Sequence, residues 1–206
     1  MTAAVFRITV GHTKMAARAY TKAARAAAEE ATRTALLDAA EEAFFDPGWD
    51  RATLASIAAR AGVTKQTLLR HFGSKDGLLE AAFARAFERV RAQRFAAPGD
   101  DVEAAIDTLL EHYAEFGERS LRMGALAGTG RAGEIVRAAR ALHRAWVDHA
   151  FAQPLARVPA RERDRVRNAL VAACDVTTWA VLARDLALPP GEVRATLLRI
   201  VRGLLG

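Results

Sequence analysis

The sequence contains a single cysteine, Cys174, among its 206 residues. One thiol excludes an intrachain disulfide and a metal site built from several cysteines. Runs of aromatic and β-branched residues, which favour strands, are scarce. No stretch of about 18 uncharged apolar residues occurs, so no segment is predicted to span a membrane. The amino terminus also lacks the apolar core and cleavage site of a secretory signal, and we expect a cytoplasmic protein.

Motifs for catalysis are absent as well. The five histidines show no spacing typical of a zinc-binding helix. The sequence has neither a glycine-rich nucleotide loop nor a nucleophile elbow. We therefore predict no catalytic residues, no metal and no cofactor, and we expect the protein not to be an enzyme.

Apolar residues make up 51% of the chain and recur at helical spacing in nearly every long window. This pattern predicts an all-α fold with a full core. We expect an amino-terminal extension at 1–30, a three-helix domain at 31–80 and a helical domain at 81–206. The predicted helices outside the region 53–74 cover residues 32–45, 75–95, 101–118, 120–127, 131–152, 160–186 and 190–205.

Residues 53–80 contain three helix starts separated by two tight turns. Thr53, Thr64 and Ser74 are each suited to cap the amino terminus of a helix. Gly62 can supply the left-handed residue that ends the first of these helices. The turn that follows is so short that it forces a sharp bend between two helices. The segment is therefore predicted to form a helix-turn-helix that leads into a further helix.

The side chains expected on the outer surface of this segment offer hydrogen-bond donors, acceptors and a methyl group, which suit base edges and phosphates. Lys75 lies beside the positive end of a helix, where a phosphate is favoured. The alternative is a set of three packed helices with a solvated charged face. The predicted DNA-binding residues are Thr53, Thr64, Lys65, Gln66, Thr67, Leu69, Arg70, His71 and Lys75.

The order and spacing of twelve residues in this region carry a family resemblance. They are Thr53, Ile57, Ala58, Ala61, Gly62, Val63, Thr64, Leu68, His71, Phe72, Lys75 and Leu78. From about Thr34 to Phe83 the chain resembles the TetR/AcrR family of bacterial transcriptional regulators. The resemblance implies a DNA-binding domain followed by a helical ligand-binding and dimerisation domain. Leu69 stands where the family usually has a tyrosine that meets a phosphate, so Arg70 or the amino-terminal arm is the candidate replacement.

Net positive charge is concentrated in the first half of the chain. Residues 1–97 hold 15 of the 30 lysines and arginines but only 10 of the 24 acidic residues. Basic charge attracts polyanions, and here it accompanies the predicted DNA-binding segment. Residues 15–28 are either a basic arm that reaches the DNA backbone or minor groove, or part of an irregular terminus. For residues 1–14 an irregular terminus, or a true start at Met15, is the favoured interpretation.

Two carboxy-terminal segments have more apolar surface than a surface helix of a monomer needs. Residues 169–183 are apolar nearly all round. In the resembled family the last two helices pair with their two-fold mates in a four-helix bundle, so we expect a homodimer. The alternative is a monomer whose own core buries both faces. The predicted stripe on the last helix consists of Val193, Leu197, Ile200, Val201 and Leu204.

Mostly apolar residues on the middle helices are candidates for an effector pocket. Asp175 among them interrupts an apolar run, and an unpaired buried carboxylate is costly. It either forms a salt bridge with an arginine of a neighbouring helix or binds a polar or cationic part of an effector. The predicted pocket residues are Phe116, Met123, Trp146, Cys174, Asp175, Thr178 and Trp179.

Together these observations predict a homodimeric DNA-binding regulator. We expect a repressor that a small, mostly apolar effector releases from a palindromic operator. The alternative is a regulator without a small-molecule effector, controlled by its abundance or by a protein partner. A cavity in the second domain would favour the first interpretation, and a solid core would favour the second.

Overall fold

The computed structural model describes residues 5–125 and 130–206, with side chains from Tyr20 onward except Pro47. These residues fold almost entirely into helices and include no strand. The predicted all-α fold is therefore confirmed. The chain forms two compact units, residues 1–82 and 83–206, and the boundary between them falls within a single helix.

Ten α-helices follow one another along the described chain. The first unit contains α1 (Val5–Ala43), α2 (Leu54–Arg60), α3 (Lys65–Phe72) and the start of α4 (Lys75–Arg94). The second unit contains the rest of α4, then α5 (Val102–Ala125), α6 (Gly130–Ala150), α7 (Ala152–Arg157), α8 (Ala160–Ala173), α9 (Val176–Ala180) and α10 (Pro190–Leu205). A π-helical turn at Val181–Asp185 continues α9.

The first helix is much longer than predicted. We expected it to begin near residue 32, whereas it begins at Val5 and ends at Ala43. Alanine has the highest helix propensity, and the alanine-rich segment before Thr32 therefore extends the helix. Most of the predicted extension is thus helical. Residues 1–4 lie outside the described residues, and the basic side chains before Tyr20 lie outside the described side chains.

The end of α1 is irregular. A π-type turn follows at Phe44–Gly48, and it is interrupted at Asp46, whose φ of −148° and ψ of 113° are not helical. Gly48 then adopts a φ of +98°, which an L side chain rarely tolerates. Trp49 is only 5% exposed, so the turn returns a large apolar side chain to the core of the first unit.

Two predictions for the second unit are wrong. Residues 102–125 form one continuous helix, where we expected a break near residue 119. A glycine inside a helix costs only about 1 kcal/mol relative to alanine, so Gly117 does not end it. Conversely, the expected helix over 160–186 is broken after Ala173, because Asp175 caps the start of a new helix.

The core of the second unit is built around Trp146 and Phe151, both fully buried. Helix α10 packs against α5 and α8. Its residues Val193, Leu197 and Val201 are buried in the chain's own core, whereas Ile200 is 37% exposed. Most of the apolar stripe predicted for this helix is therefore used within the unit.

A bidentate ion pair fixes α10 to α5. The Nε and Nη2 atoms of Arg194 donate to Oδ1 and Oδ2 of Asp107 at 2.5 and 2.9 Å. The guanidinium lowers the pKa of the Asp107 carboxyl, chiefly through this hydrogen bonding. Both side chains remain more than one-third exposed, so the pair contributes modestly to stability.

Among the described residues, no single helix has the length and apolar character to cross a membrane. Only α8 taken together with Val176–Asp185 meets both criteria, and these two segments meet at a bend of 45°.

Candidate functional site

Side-chain caps define the helix-turn-helix. The hydroxyl of Thr53 accepts a hydrogen bond from Ser56 N, and the hydroxyl of Ser56 accepts one from Thr53 N, each at 3.0 Å. Thr64 Oγ1 accepts from Thr67 N at 3.2 Å. Gly62 lies between the two helices with a φ of +69°. The predicted starts of α2 and α3 and the left-handed glycine are confirmed.

The inner surface of the motif is apolar and closed. Ile57 and Leu68 are 0% exposed, and Ala58 is 1% exposed. The small side chain at Ala58 lets α2 and α3 approach closely, while Leu68 fills the angle between them. This packing fixes the rotation of α3 about its own axis and therefore determines which side chains face solvent.

The exposed side chains of α3 are polar or charged. Lys65, Gln66 and Arg70 are exposed, whereas Thr67 is half-buried. Of the other predicted DNA-binding residues, Thr53 and Thr64 are exposed, and Leu69, His71 and Lys75 are half-buried. The capping hydrogen bonds use the hydroxyls of the two threonine caps, so these hydroxyls are less available to DNA.

The ammonium group of Lys75 contacts Trp49. Its Nζ atom donates to the Trp49 carbonyl oxygen at 2.5 Å and lies 4.9 Å from the centre of the Trp49 ring. An ammonium group has three donors, so two remain for a phosphate. Ser74 Oγ accepts from Gly77 N at 2.9 Å, which confirms Ser74 as the cap of α4.

A cavity of about 520 Å³ lies within the second unit. Its volume falls within the range typical of small-molecule sites, about 300–1,000 Å³. Helices α4, α5, α6 and α8 and the start of α9 form its walls. Its lining includes Phe87, Val90 and Arg94 of α4, His112, Tyr113, Leu121 and Met123 of α5, Val136, Arg140, Leu142, His143 and Arg144 of α6, and Val171, Asp175 and Thr177.

Only two of the seven predicted pocket residues, Met123 and Asp175, line this cavity. Trp146 and Cys174 belong instead to the adjacent core, with exposures of 0% and 1%. Their surroundings explain the difference, because the Trp146 indole donates to Arg94 O at 2.9 Å and the carbonyl of Cys174 accepts from the Tyr113 hydroxyl at 2.8 Å. The remaining three, Phe116, Thr178 and Trp179, are half-buried and lie outside the lining.

Asp175 lies at the start of a helix rather than inside one. The salt bridge to an arginine, one of the two interpretations offered by the sequence, is not found within the described residues. The Oδ1 atom of Asp175 accepts from Thr177 N at 2.9 Å and from Thr177 Oγ1 at 2.7 Å. The carboxylate thus caps α9, a position at which the helix dipole also favours negative charge. The sequence signal was an aspartate two residues before a threonine, which the surrounding apolar run obscured.

Arg94 is the most unusual residue of the cavity wall. It is 5% exposed, and its guanidinium lies 4.2 Å from the centre of the Trp146 ring. Its Nη2 atom lies 3.1 Å from Nδ1 of His143, whose Nε2 atom lies 3.0 Å from Val171 O. Because the carbonyl only accepts and the guanidinium only donates, His143 is a neutral imidazole protonated on Nε2. Burial lowers the pKa of both Arg94 and His143.

Two buried nitrogens near the cavity have no hydrogen-bond partner within the described part of the chain, Nε of Arg94 and Nδ1 of His112. Burial, reinforced by the positive charge of Arg94, lowers the pKa of His112 to about 3. We had not predicted a role for Arg94 or His112. The helical spacing could have predicted that Arg94 faces inward, because it lies one turn beyond Phe87 and Val90 on the inward side of α4.

The thiol of Cys174 is chemically protected. Burial raises its pKa to about 12, so the reactive thiolate is rare at neutral pH. No cluster of three or more histidine, cysteine or acidic side chains that could hold a metal occurs among the described residues. The cavity of the second unit is instead lined by three arginines, Arg94, Arg140 and Arg144.

A family model and a known sequence each match part of the chain. The family model described as "Bacterial regulatory proteins, tetR family" matches residues 36–82. The HTH-type transcriptional regulator BetI 1 of Chromohalobacter salexigens is 41% identical over 73 residues. That match covers 32% of this chain and 36% of the relative, so the chain aligns with about a third of its length.

Solved structures match over most of the chain. A TetR-family transcriptional regulator from Streptomyces coelicolor superposes with a TM-score of 0.63 at 27% identity, covering 85% of this chain and 95% of the other. A putative TetR-family regulator from Rhodococcus sp. gives a TM-score of 0.63 at 21% identity, covering 86% and 100%. With the capped helix-turn-helix, the family match and these folds in agreement, the chain belongs to the TetR family of bacterial regulatory proteins.

Proposed function

We propose that this protein is a DNA-binding transcriptional regulator, and specifically a repressor that a small effector releases from its operator. The observation that carries the proposal is the match of residues 36–82 to the tetR family, over the segment in which α3 exposes Lys65, Gln66 and Arg70. An α-helix fits the major groove of B-DNA, where amide and guanidinium groups recognise base edges. The BetI relative, which matches 32% of this chain, is named as an HTH-type transcriptional regulator.

The proposed operator is a palindrome bound by a homodimer. Each chain offers one recognition helix, and a two-fold dimer presents two of them to related half-sites. We place the dimer interface on the last two helical segments of the chain. Its support is the exposed apolar surface there, where Val181, Leu186 and Ile200 are 47%, 59% and 37% exposed.

The cavity favours a regulator with a small-molecule input over one controlled by abundance or by a protein partner. A solid core would have supported the second alternative, whereas the second unit contains a cavity of about 520 Å³. Helix α4 begins at Lys75 and contributes Arg94 to the cavity wall. A ligand that shifts the population of α4 conformations by a coupling of about 1–3 kcal/mol would change operator affinity roughly 5- to 150-fold.

Selection of bound DNA from a random pool tests the proposal. The expected result is enrichment of sequences with two related half-sites. The double variant Lys65→Ala with Arg70→Ala should lose this enrichment, whereas Arg161→Ala with Arg165→Ala should keep it. The second pair lies exposed on α8 and removes the same charge. No enrichment, or enrichment of one unsymmetrical site, would contradict the proposal.

A further inference from the structure

We infer that the cavity of the second unit binds an organic anion, a carboxylate attached to an apolar body, and that Arg94 binds the carboxylate. The inference about the ligand class stands on the cavity itself. Only its regulatory consequence, release of DNA, rests on the function proposed above.

The first argument is the missing counterion of Arg94. Arg94 is buried, with only 5% of its surface exposed. Within the described residues, the Arg94 guanidinium donates a hydrogen bond to His143, a neutral imidazole, and its Nε atom has no partner. A buried guanidinium is normally paired with a carboxylate, because removing the charge from water is otherwise uncompensated. An anionic ligand would supply that missing partner.

The second argument is the charge of the wall. Three arginines line the cavity, Arg94, Arg140 and Arg144, against one carboxylate, Asp175. That carboxylate already accepts two hydrogen bonds from Thr177. Burial lowers the pKa of Arg94, and the charge of Asp175 opposes this only in part. His143 and His112 are both neutral at pH 7, because burial lowers the pKa of each. The wall is therefore net positive, which disfavours a cationic ligand.

The rest of the lining defines the other part of the ligand. Phe87, Val90, Leu121, Val136 and Leu142 contribute apolar surface to the same cavity. A volume of about 520 Å³ accommodates an apolar body of some ten or more carbon atoms beside the carboxylate. A planar guanidinium binds a carboxylate through two parallel hydrogen bonds, which gives Arg94 the geometry to select this head group.

Matched probes that differ only in the head group test the charge preference. Decanoate is compared with decanol and decylamine, and 2-naphthoate with 2-naphthol, by isothermal titration calorimetry on the full chain without DNA. We expect at least one carboxylate to bind roughly tenfold more tightly than its alcohol, which is the size of effect expected for a charged hydrogen bond. Decylamine should bind more weakly than decanol. If neither carboxylate is preferred to its alcohol, the inference is wrong.

Variants at Arg94 assign the preference to one residue. Arg94→Met should abolish the preference for carboxylate over alcohol while leaving alcohol binding within about threefold. Arg94→Lys keeps the charge but not the planar fork, and should retain part of the preference. Arg165→Met, which removes an exposed arginine of α8, should retain all of it. An unchanged preference in a folded Arg94→Met protein would overturn the role of Arg94.

Thermal unfolding keeps the test informative if Arg94 also has a structural role. Because its guanidinium has no carboxylate partner among the described residues, Arg94→Met should not lower Tm. If Arg94→Met fails to fold, the test uses Arg94→Lys alone. A preference of this variant for carboxylate over alcohol identical to that of the native chain would contradict bidentate binding.

Measuring operator affinity with and without the bound carboxylate distinguishes the ligand class from the proposed release of DNA. A carboxylate that binds through Arg94 and leaves operator affinity unchanged supports the ligand class and refutes the release mechanism.

Discussion

The indole ring of Trp179 covers the backbone of α5 at Gly117, leaving no room for a side chain there. A Cβ atom at position 117 would lie 2.5 Å from Cζ3 and 2.6 Å from Cη2 of the ring. Trp179 in turn lies 5.7 Å from Tyr113, measured between ring centres. The glycine is therefore a packing requirement at the contact between α9 and the middle of α5.

Gly117→Ala should destabilise the protein by roughly 1–3 kcal/mol, because the new methyl group must displace the Trp179 ring. Urea unfolding followed by circular dichroism measures the change. Gly203→Ala is the matched control, since a Cβ there meets no atom within 4 Å and alanine should stabilise α10 by about 0.5–1 kcal/mol. Combining Gly117→Ala with Trp179→Leu should recover part of the loss. Equal effects of alanine at both positions would contradict the packing argument.

Asp175→Ala should cost about 1 kcal/mol of unfolding free energy, because α9 loses the oxygen that accepts from Thr177 N. Asp175→Asn keeps a capping oxygen and should retain most of the stability. Chemical denaturation of the two variants beside the native chain makes the comparison. If asparagine is as destabilising as alanine, the negative charge of Asp175 matters more than its cap.

The stability of the protein should decrease as the pH falls below about 6.5, and His112 should cause part of that decrease. Its pKa is lowered to about 3 in the folded chain, so the unfolded chain binds the proton more readily. Stability is therefore complete above the unfolded pKa of about 6.5 and is lost as the pH falls toward 3. Between pH 7.5 and 5 one such histidine accounts for about 2 kcal/mol.

The variant His112→Leu isolates this contribution. Its unfolding free energy should change about 2 kcal/mol less than that of the native chain between pH 7.5 and 5. The comparison uses the difference between the two pH values, so a constant change in packing cancels. The same loss in both proteins would show that His112 is accessible to protons in the folded state.

Substitutions of residues that contact phosphate and of residues that contact bases should affect DNA binding in different ways. Lys75→Ala should weaken binding to all DNA sequences alike and lower the salt slope by about 1. It should also reduce the stability of the first unit, because Lys75 is bonded to Trp49 O. Gln66→Ala and Arg70→Ala should instead change the preferred base at one position of each half-site, by about 1–3 kcal/mol for a bidentate contact. Binding titrations against single-base operator variants at several salt concentrations distinguish these cases, and uniform losses for all three would argue against base recognition by α3.

The sequence predicts those parts of the structure that depend on interactions between residues close together in the chain. Thr53, Gly62 and Thr64 act within three residues of their own positions, through caps and a backbone angle, and their roles were predicted correctly. Arg94 depends on His143 and Trp146, which lie 49 and 52 residues away along the chain. No local pattern encodes such pairings, so the position of the cavity was not predictable from the sequence.

The break in the apolar run between α8 and α9 shows how the same residue supports two interpretations. In sequence, Asp175 is a charge inside an apolar helix, which implies a buried partner. In the structure, the backbone changes direction at this point, and the carboxylate instead accepts a hydrogen bond from a backbone N–H at the start of the next helix. Hydrophobic periodicity does not record such a change of direction, because both segments remain apolar on either side of it.

The buried thiol of Cys174 has a practical consequence for spectroscopy. Since this cysteine is the only one in the sequence and is 1% exposed, maleimide reagents should leave the folded native chain unmodified. A second cysteine introduced at an exposed position of α3, such as Lys65→Cys, would then carry a fluorophore or spin label at one site without removal of Cys174. In the proposed dimer, distances between labels on the two chains would report on the separation of the two α3 helices as a ligand is added.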